Sequence, residues 1–228
     1  MYGKIIKRLL DFILSLCAVL MLSPVFLILI IIGTIEMKGN PFFTQQRPGR
    51  NGKVFSIIKF RTMNNAKDKD GNLLPDEERV SRYGRLLRST SLDELPELFN
   101  IIKGDMSLIG PRPQLVRDMV FMTKDERRRH TVRPGLSGLA QVRGRNALSW
   151  EGRLASDLEY VDNITFAGDL KIIFQTVMKV FQREGISEEG ISTSTDLGDY
   201  LLASGKVSRE EYDRLQAEAK ELLRRNSK

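Results

Sequence analysis

The sequence is short of the residues that build disulfide and metal frameworks: its 228 residues hold one cysteine, Cys17, and one histidine, His130. A single cysteine excludes an intrachain disulfide, so the bulk of the chain need not face an oxidising compartment. A single histidine excludes a His-rich metal site. Internal repeats and low-complexity tracts are also missing, as are a Walker A loop and a dinucleotide fingerprint. Acids are the scarcer charge, 29 against 36 lysines and arginines, which leaves a net charge of +7. The partner is therefore expected to be anionic: nucleic acid, a membrane surface or a phosphorylated substrate. With 41% hydrophobic residues the chain can fill a real core, so disorder is not the default.

Charge is absent altogether from Phe12 to Ile35, a run of 24 positions. That length covers a hydrocarbon core of about 30 Å. The run continues without a small-residue cleavage site, unlike a secretory leader. Ser23-Pro24 lies inside it, where proline removes a backbone donor and bends the helix, and Ser23 can satisfy a freed backbone group. Both flanks are basic, with Lys4, Lys7 and Arg8 before the run and Lys38, Arg47 and Arg50 after it. The positive-inside rule then favours neither orientation. A helix that enters and leaves on one side and a kinked spanning helix both fit these residues.

Beyond the anchor, Phe42–Gln45 and Val54–Phe60 read as short strands joined by the turn-rich Arg47–Gly52, a small hairpin at most. Helical patterns follow over 77–87, over 93–103 with Gly104 as its stop, and over 114–122, 150–161 and 166–182. In the last, Leu170, Ile173, Phe174, Val177, Val180 and Phe181 share a face that either packs in a core or lies on a membrane surface. Residues 185–195 read as a linker into a polar helix, 208–225, whose start carries a capping box at Ser208-Arg209-Glu210-Glu211.

Three segments carry potential chemistry. The first is Thr90-Ser91-Leu92-Asp93-Glu94-Leu95-Pro96. Ser91 and Glu94 have capping-box spacing, but Pro96 favours a helix start nearer Asp93, which would place Asp93 at the positive end of the helix dipole and keep it ionised. Capping and catalysis both remain open on these residues alone. The second is Gly110-Pro111-Arg112-Pro113, where flanking prolines stiffen the loop that presents Arg112, a fork suited to phosphate or to plain solvent. The third is the basic, glycine-rich Arg133–Asn146. Lys59, Arg61, Arg85 and Arg88 add cations near the acidic pair in sequence. Lys124–Arg133, with Arg127-Arg128-Arg129, is expected to meet anionic lipid headgroups.

Together, Ser23-Pro24, Lys59-Phe60-Arg61-Thr62-Met63, Ser91–Pro96, Gly110–Pro113 and Arg133-Pro134-Gly135 through Gly144-Arg145 resemble, in the same order, the small monotopic phosphoglycosyl transferases of bacteria. That family includes the bacillosamine-phosphate and galactose-phosphate transferases. The likeness covers roughly residues 1–195. It implies a mainly α fold with a small β-hairpin: a re-entrant membrane helix broken at Ser23-Pro24 (1–38), a compact catalytic domain on the cytoplasmic face with surface amphipathic helices (39–195), and a polar helical extension (196–228).

The resemblance further implies transfer of a sugar 1-phosphate from a UDP-sugar to a polyprenyl (undecaprenyl) phosphate at the bacterial plasma membrane, with release of UMP. Asp93 would be the nucleophile that forms an aspartyl sugar-phosphate, and Glu94 its partner. Both are implied ligands of Mg2+, which with fixed cations would stabilise the charge that builds at phosphorus. Arg112 would hold a phosphate, with Lys59, Arg88 and Arg145 as further phosphate or uridine contacts and Asp157 as a support. Membrane lipids are expected partners and nucleic acid is not. Oligomerisation is left open, with the extension as its candidate module. Larger relatives carry extra N-terminal segments, so this chain is expected to be the minimal catalytic unit. The rival reading from another class is a basic membrane-anchored binding protein in which Asp93 and Glu94 only cap a helix.

Overall fold

The computed structural model describes residues 2–144, 148–182 and 195–226, and over these it is mainly helical with a small antiparallel sheet. Two helices open the chain, α1 (Lys7–Met21) and α2 (Ser23–Glu36), bent by 64° at Leu22. The bend follows from local chemistry. Pro24 has no N–H for the Leu20 carbonyl four residues back, and the Ser23 hydroxyl donates to that carbonyl instead, at 2.8 Å. At about 1.5 Å per residue neither arm spans a hydrocarbon core. Among the described residues no single helix is long and apolar enough to cross a membrane, whereas the bent pair together passes on length and composition.

The bent helix pair is bolted to the rest of the molecule rather than tethered to it. Phe26 and Leu29 of α2 share a core with Phe60, Tyr83 and Leu87, and the Tyr83 hydroxyl donates to the Leu29 carbonyl at 2.9 Å. From α1, Lys7 pairs with Asp169 at 2.7 Å, and the Arg8 guanidinium donates to the carbonyls of Ile101 and Ile102. Lys7 and Arg8 of the basic flank are thus engaged within the fold. Buried Asp11 accepts from the Ser107 hydroxyl (2.7 Å) and the Leu108 N–H (3.1 Å). Replacing it by Ala strands the Leu108 N–H and leaves the Ser107 hydroxyl only the Ile109 carbonyl, at 3.0 Å. Asp11→Ala is expected to cost about 2–3 kcal/mol, read as a fall in the thermal midpoint of the detergent-solubilised protein.

Strands β1 (Phe42–Pro48) and β2 (Val54–Phe60) pair antiparallel, with Phe42 opposite Phe60 and Phe43 opposite Lys59. A short helix α3 (Asp76–Arg79) precedes α4 (Arg82–Thr90). Gly84 lets α4 lie directly on the preceding strand's exit, since a Cβ there would sit 2.0 Å from the Thr62 carbonyl oxygen. The expected helix over 77–87 is therefore two pieces, broken at Val80-Ser81, where Ser81 caps the second through the Gly84 N–H.

The expected helix over 93–103 also divides. Leu92–Glu94 forms a 3-10 turn, and α5 runs only over Glu97–Lys103. Pro96 stands just before α5, where its missing N–H costs nothing. Gly104 ends the helix at φ +96 and leaves room for the Arg8 guanidinium that caps its last carbonyls. Next come β3 (Ser107–Ile109), the four-residue α6 (Val116–Met119), β4 (Gly135–Ser137) and α7 (Leu139–Arg143). Strands β3 and β4 pair in parallel, a contact absent from the sequence reading. Residues 114–122 are helical only at α6, whose start is set by Asp118 turning back to accept from the Leu115 N–H.

The remaining helices are α8 (Trp150–Asp162), α9 (Phe166–Gln182), α10 (Leu197–Ala203) and α11 (Arg209–Asn226). Leu197 of α10 and Ala219 of α11 share a core with Val120, Phe121, Met122, Trp150 and Leu154, so the C-terminal helices pack on the body of the protein. On α9, Asp169 and Ile172 are buried, whereas Phe166, Leu170, Phe174, Val177 and Met178 form an exposed apolar stripe. Of the residues expected to form a linker, all but Thr195 lie outside those described.

Candidate active site

The acidic pair sits on a turn forced by its neighbours. Ser91, at φ +56, ends α4 in the left-handed region, and the tight turn Leu92–Glu94 then carries Asp93 and Glu94 into a cleft of about 1900 Å³. Ser91 makes no capping hydrogen bond to this turn. The capping-box reading of Ser91 and Glu94 is therefore replaced by a different arrangement, in which the Glu94 side chain is held by cations.

Glu94 Oε1 accepts from Lys59 Nζ at 2.7 Å and from Arg112 Nη2 at 2.5 Å. Burial pushes the Glu94 carboxyl up, but the charges of Arg112 and Lys59 outweigh it and hold the group well below the usual carboxylate range. Glu94 is consequently a poor proton acceptor near neutral pH. Its Oε2 has one longer contact, Arg112 Nη1 at 3.4 Å. Its place is that of counter-charge, fixing two cations beside Asp93.

Asp93 is the opposite case. Among the described residues none donates a hydrogen bond to its carboxylate; burial first, and the neighbouring Glu94 second, raise its pKa to about 6 against the pull of Lys59, Arg112 and Arg88. It is a carboxylate without a fixed partner, surrounded by cations and open to the cleft, ionised near neutral pH. Such a group can act as a nucleophile or bind a metal.

Arg88 of α4 lines the same cleft and is steadied by its Nε donating to the Thr62 hydroxyl at 3.0 Å. Arg112 leaves 40% of its side chain exposed, so the fork that holds Glu94 still faces the cleft. Arg145, the last cation in the sequence reading, lies outside the described residues. The structure brings Lys59, Arg88, Asp93, Glu94 and Arg112 to one cleft from a strand, a helix, a turn and a loop.

Asp157 stands on the wall of the cleft with its carboxylate already committed. It is paired with Arg129, whose Nε and Nη2 donate to Asp157 Oδ2 at 2.9 and 2.7 Å, both side chains being all but fully buried. Arg129 Nη2 also donates to the Arg112 carbonyl at 2.6 Å. Asp157 therefore acts on the site through Arg129, by holding the loop that presents Arg112. The expectation that Arg127-Arg128-Arg129 meets lipid headgroups fails for Arg129, which is interior, while Arg127 and Arg128 stay exposed and have partners in the fold. Arg127 donates to the carbonyls of Val120 and Met122, Arg128 pairs with Asp125 and Asp162, and Arg129 is interior.

Two functional candidates escaped the sequence reading. Arg129 was hidden in a basic run. Glu97, 1% exposed, lies 3.1 Å from Lys59 and next to Glu94 in the fold. Its position one helical turn after Asp93 was the only signal.

The same cleft is lined by Leu14 and Ala18 of α1, so the apolar helix pair and the charged cluster share a wall. A sequence-family model described as "Bacterial sugar transferase" matches residues 2–183. Among curated proteins, the "Uncharacterized sugar transferase EpsL" of Bacillus subtilis is 47% identical over 206 residues, covering 90% of this chain and 99% of its own. The "UDP-glucose:undecaprenyl-phosphate glucose-1-phosphate transferase" of Caulobacter vibrioides is 36% identical over 75% of this chain and 68% of its own. The "Undecaprenyl-phosphate galactose phosphotransferase" of Salmonella typhimurium is 36% identical over 80% of this chain but only 42% of its own length. A family match over most of the chain, a relative matched from end to end, and the assembled acidic and basic cluster agree: the chain belongs to the bacterial sugar transferases.

Proposed function

We propose that this protein transfers a sugar 1-phosphate from a UDP-sugar to a polyprenyl phosphate, releasing UMP, as the first membrane step of glycan assembly. The observation that carries this reading is the cleft that holds the unpaired Asp93 carboxylate among three cations and opens onto the apolar hairpin. The activities named for the Caulobacter and Salmonella relatives support it.

In the first half-reaction an Asp93 oxygen attacks the β-phosphorus of the donor. The bond from that phosphorus to the bridging oxygen breaks and UMP leaves with the electron pair. In the second, an oxygen of the polyprenyl phosphate attacks the aspartyl phosphate, the Asp93 oxygen–phosphorus bond breaks, and the carboxylate is restored. Arg112, Lys59 and Arg88 supply fixed positive charge where negative charge builds on the equatorial oxygens, which is where phosphoryl transfer is accelerated. Glu94 keeps the first two in place.

Magnesium fits this site through Asp93 rather than through the pair. Among the described residues no group of three or more His, Cys, Asp or Glu gathers into a cage. Magnesium characteristically takes one or two carboxylates together with water and substrate phosphates. Asp93 would hold it, and its contribution would be to neutralise the diphosphate.

The bent hairpin is read as a re-entrant anchor entering from the cytoplasmic face, with the apolar stripe of α9 lying along the same surface. That placement brings the acceptor's phosphate to the cleft while its tail stays in lipid. Incubation with UDP-sugars, undecaprenyl phosphate and magnesium is expected to release UMP over many turnovers, and without the acceptor no more than one UMP per enzyme. Release of UDP or of free phosphate would contradict the proposal.

A further inference from the structure

The loop that presents Arg112 is tied differently on its two sides. Up to Arg112 it is fixed by the body of the protein: the Gly135 N–H donates to the Pro111 carbonyl at 3.0 Å, and Arg129 donates to the Arg112 carbonyl. Past Arg112 the support changes. Pro113 has no N–H to give, and behind residues 113–115 lies a cavity of about 190 Å³, walled also by Asp118, Trp150 and Asp196. A stretch backed by a void is not located by close packing, so its position depends on the hydrogen bonds at its end.

That end is Leu115, whose N–H donates to Asp118 Oδ2 at 3.0 Å. The other Asp118 oxygen, Oδ1, accepts from the Leu197 N–H at 3.0 Å. A carboxylate only 2% exposed thus joins the loop to the first residue of α10. Two neighbouring contacts fix the same point. The Thr195 carbonyl accepts from Trp150 Nε1 at 2.9 Å, and Asp196 pairs with Arg117 at 2.6 Å. Packing seats α10 as firmly: a Cβ on Gly198 would stand 2.5 Å from the Phe121 ring, which in turn lies against Tyr212 of α11 with 5.5 Å between ring centroids. Trp150 also begins α8, the helix whose Asp157 holds Arg129. Both supports of the loop, Arg129 and Asp118, therefore lead to elements that the C-terminal segment contacts.

We propose that Asp118, held in place by α10, is a positioning residue for Arg112, so that the C-terminal helices complete the catalytic unit by fixing the far end of the loop that presents its guanidinium. The inference rests on the transfer reading above, in which Arg112 meets the charge that builds at phosphorus. Neither half-reaction uses α10 or α11, and Asp118, Leu197 and Gly198 stand outside the lining of the cleft. Their effect reaches the chemistry only through the loop. Withdrawing the Leu197 N–H leaves a buried acceptor unpaired and frees Asp118 to turn, and residues 113–115 then have an empty space to move into. A fork displaced in this way loses charge stabilisation where the transition state needs it.

The test is a double-mutant cycle on the full-length protein in detergent. Gly198→Val drives α10 off Phe121 and pulls Leu197 from Asp118, at a site remote from the cleft. Turnover is expected to fall about tenfold when Arg112 is present, and less than about twofold in an Arg112→Ala background, where no fork remains to be misplaced. Amide hydrogen exchange over residues 110–118 should be about tenfold faster in Gly198→Val than in wild type. Should that variant not fold, Trp150→Phe keeps an aromatic ring in the core and removes the donor to Thr195. Its loss is expected to be about threefold, and again to vanish without Arg112. Equal losses in the two backgrounds would overturn the inference, because a merely structural role lowers turnover whatever stands at position 112. Unchanged exchange over 110–118 would overturn it too, even in a protein whose UMP release upholds the transfer reading. Faster exchange in a protein that releases no UMP from any UDP-sugar would support the tie and overturn that reading instead.

Discussion

Asp93→Asn is expected to lose at least about 10⁴-fold in turnover, the order seen when a covalent nucleophile is removed, while becoming more stable than wild type. The two effects share one cause. A carboxylate that stays ionised without a hydrogen-bond partner is held ready for the substrate at the expense of the resting fold. Its pKa is raised from 3.8 to about 6, so the folded protein binds this proton more tightly than the unfolded chain does. The sign follows: the penalty is absent below about pH 4, grows as pH rises towards 6, and is constant above. Asparagine removes it. Near neutral pH the variant should gain about 2 kcal/mol, or ~4–8 °C in thermal midpoint for a chain of this size. At about pH 4 the two midpoints should converge. Wild-type kcat/KM should fall about tenfold per pH unit below about pH 6, as the nucleophile is protonated. A binding protein with a capping Asp93 would show none of this, since asparagine caps equally well.

The largest loss of stability is expected from Arg129→Met. The Arg129–Asp157 pair is interior, and removing one partner leaves an uncompensated charge, which costs about 3–5 kcal/mol. The thermal midpoint should drop by about 10 °C. The Arg112 carbonyl loses its donor in the same step, so surviving protein should also turn over more slowly, because the loop that fixes Arg112 is no longer tied. Combining Arg129→Met with Asp157→Asn should restore part of the stability but not the turnover, since the second change neutralises the stranded charge without replacing the contact to the loop. A midpoint for Arg129→Met within a degree of wild type would show that this pair does not hold the site.

How much of this was legible in the sequence depended on whether the cause was local. The bend at Ser23-Pro24 was readable because proline's missing donor and the nearby hydroxyl act within four residues. The stop at Gly104 and the β1–β2 hairpin were readable for the same reason. The β3–β4 pair was not, since two three-residue strands some 26 residues apart carry no periodicity of their own. The helix expected from Asp93 onward was cut by Pro96, whose effect was noticed but assigned to the wrong turn.

The site followed the same rule. Its residue types and order were visible, but Glu94's commitment to Lys59 and Arg112 depends on partners 35 and 18 residues away. No spacing encodes that distance. Arg129 was misread because a run of arginines resembles a lipid-facing patch until its separate partners are seen. Asp157 was named as a support, and its contact with Arg129, which donates to the Arg112 carbonyl, could not be read from spacing.

The central claim is that Asp93 carries the sugar phosphate. It is tested most directly by mixing the purified protein with a UDP-sugar and magnesium, without acceptor, and recording intact mass and UMP together. The account predicts a burst of UMP no larger than the amount of enzyme, a mass gain of one sugar phosphate confined to the peptide containing Asp93, and loss of that mass when polyprenyl phosphate is added. An unmodified protein that releases UMP only when both substrates are present, or an adduct on any other residue, would contradict it.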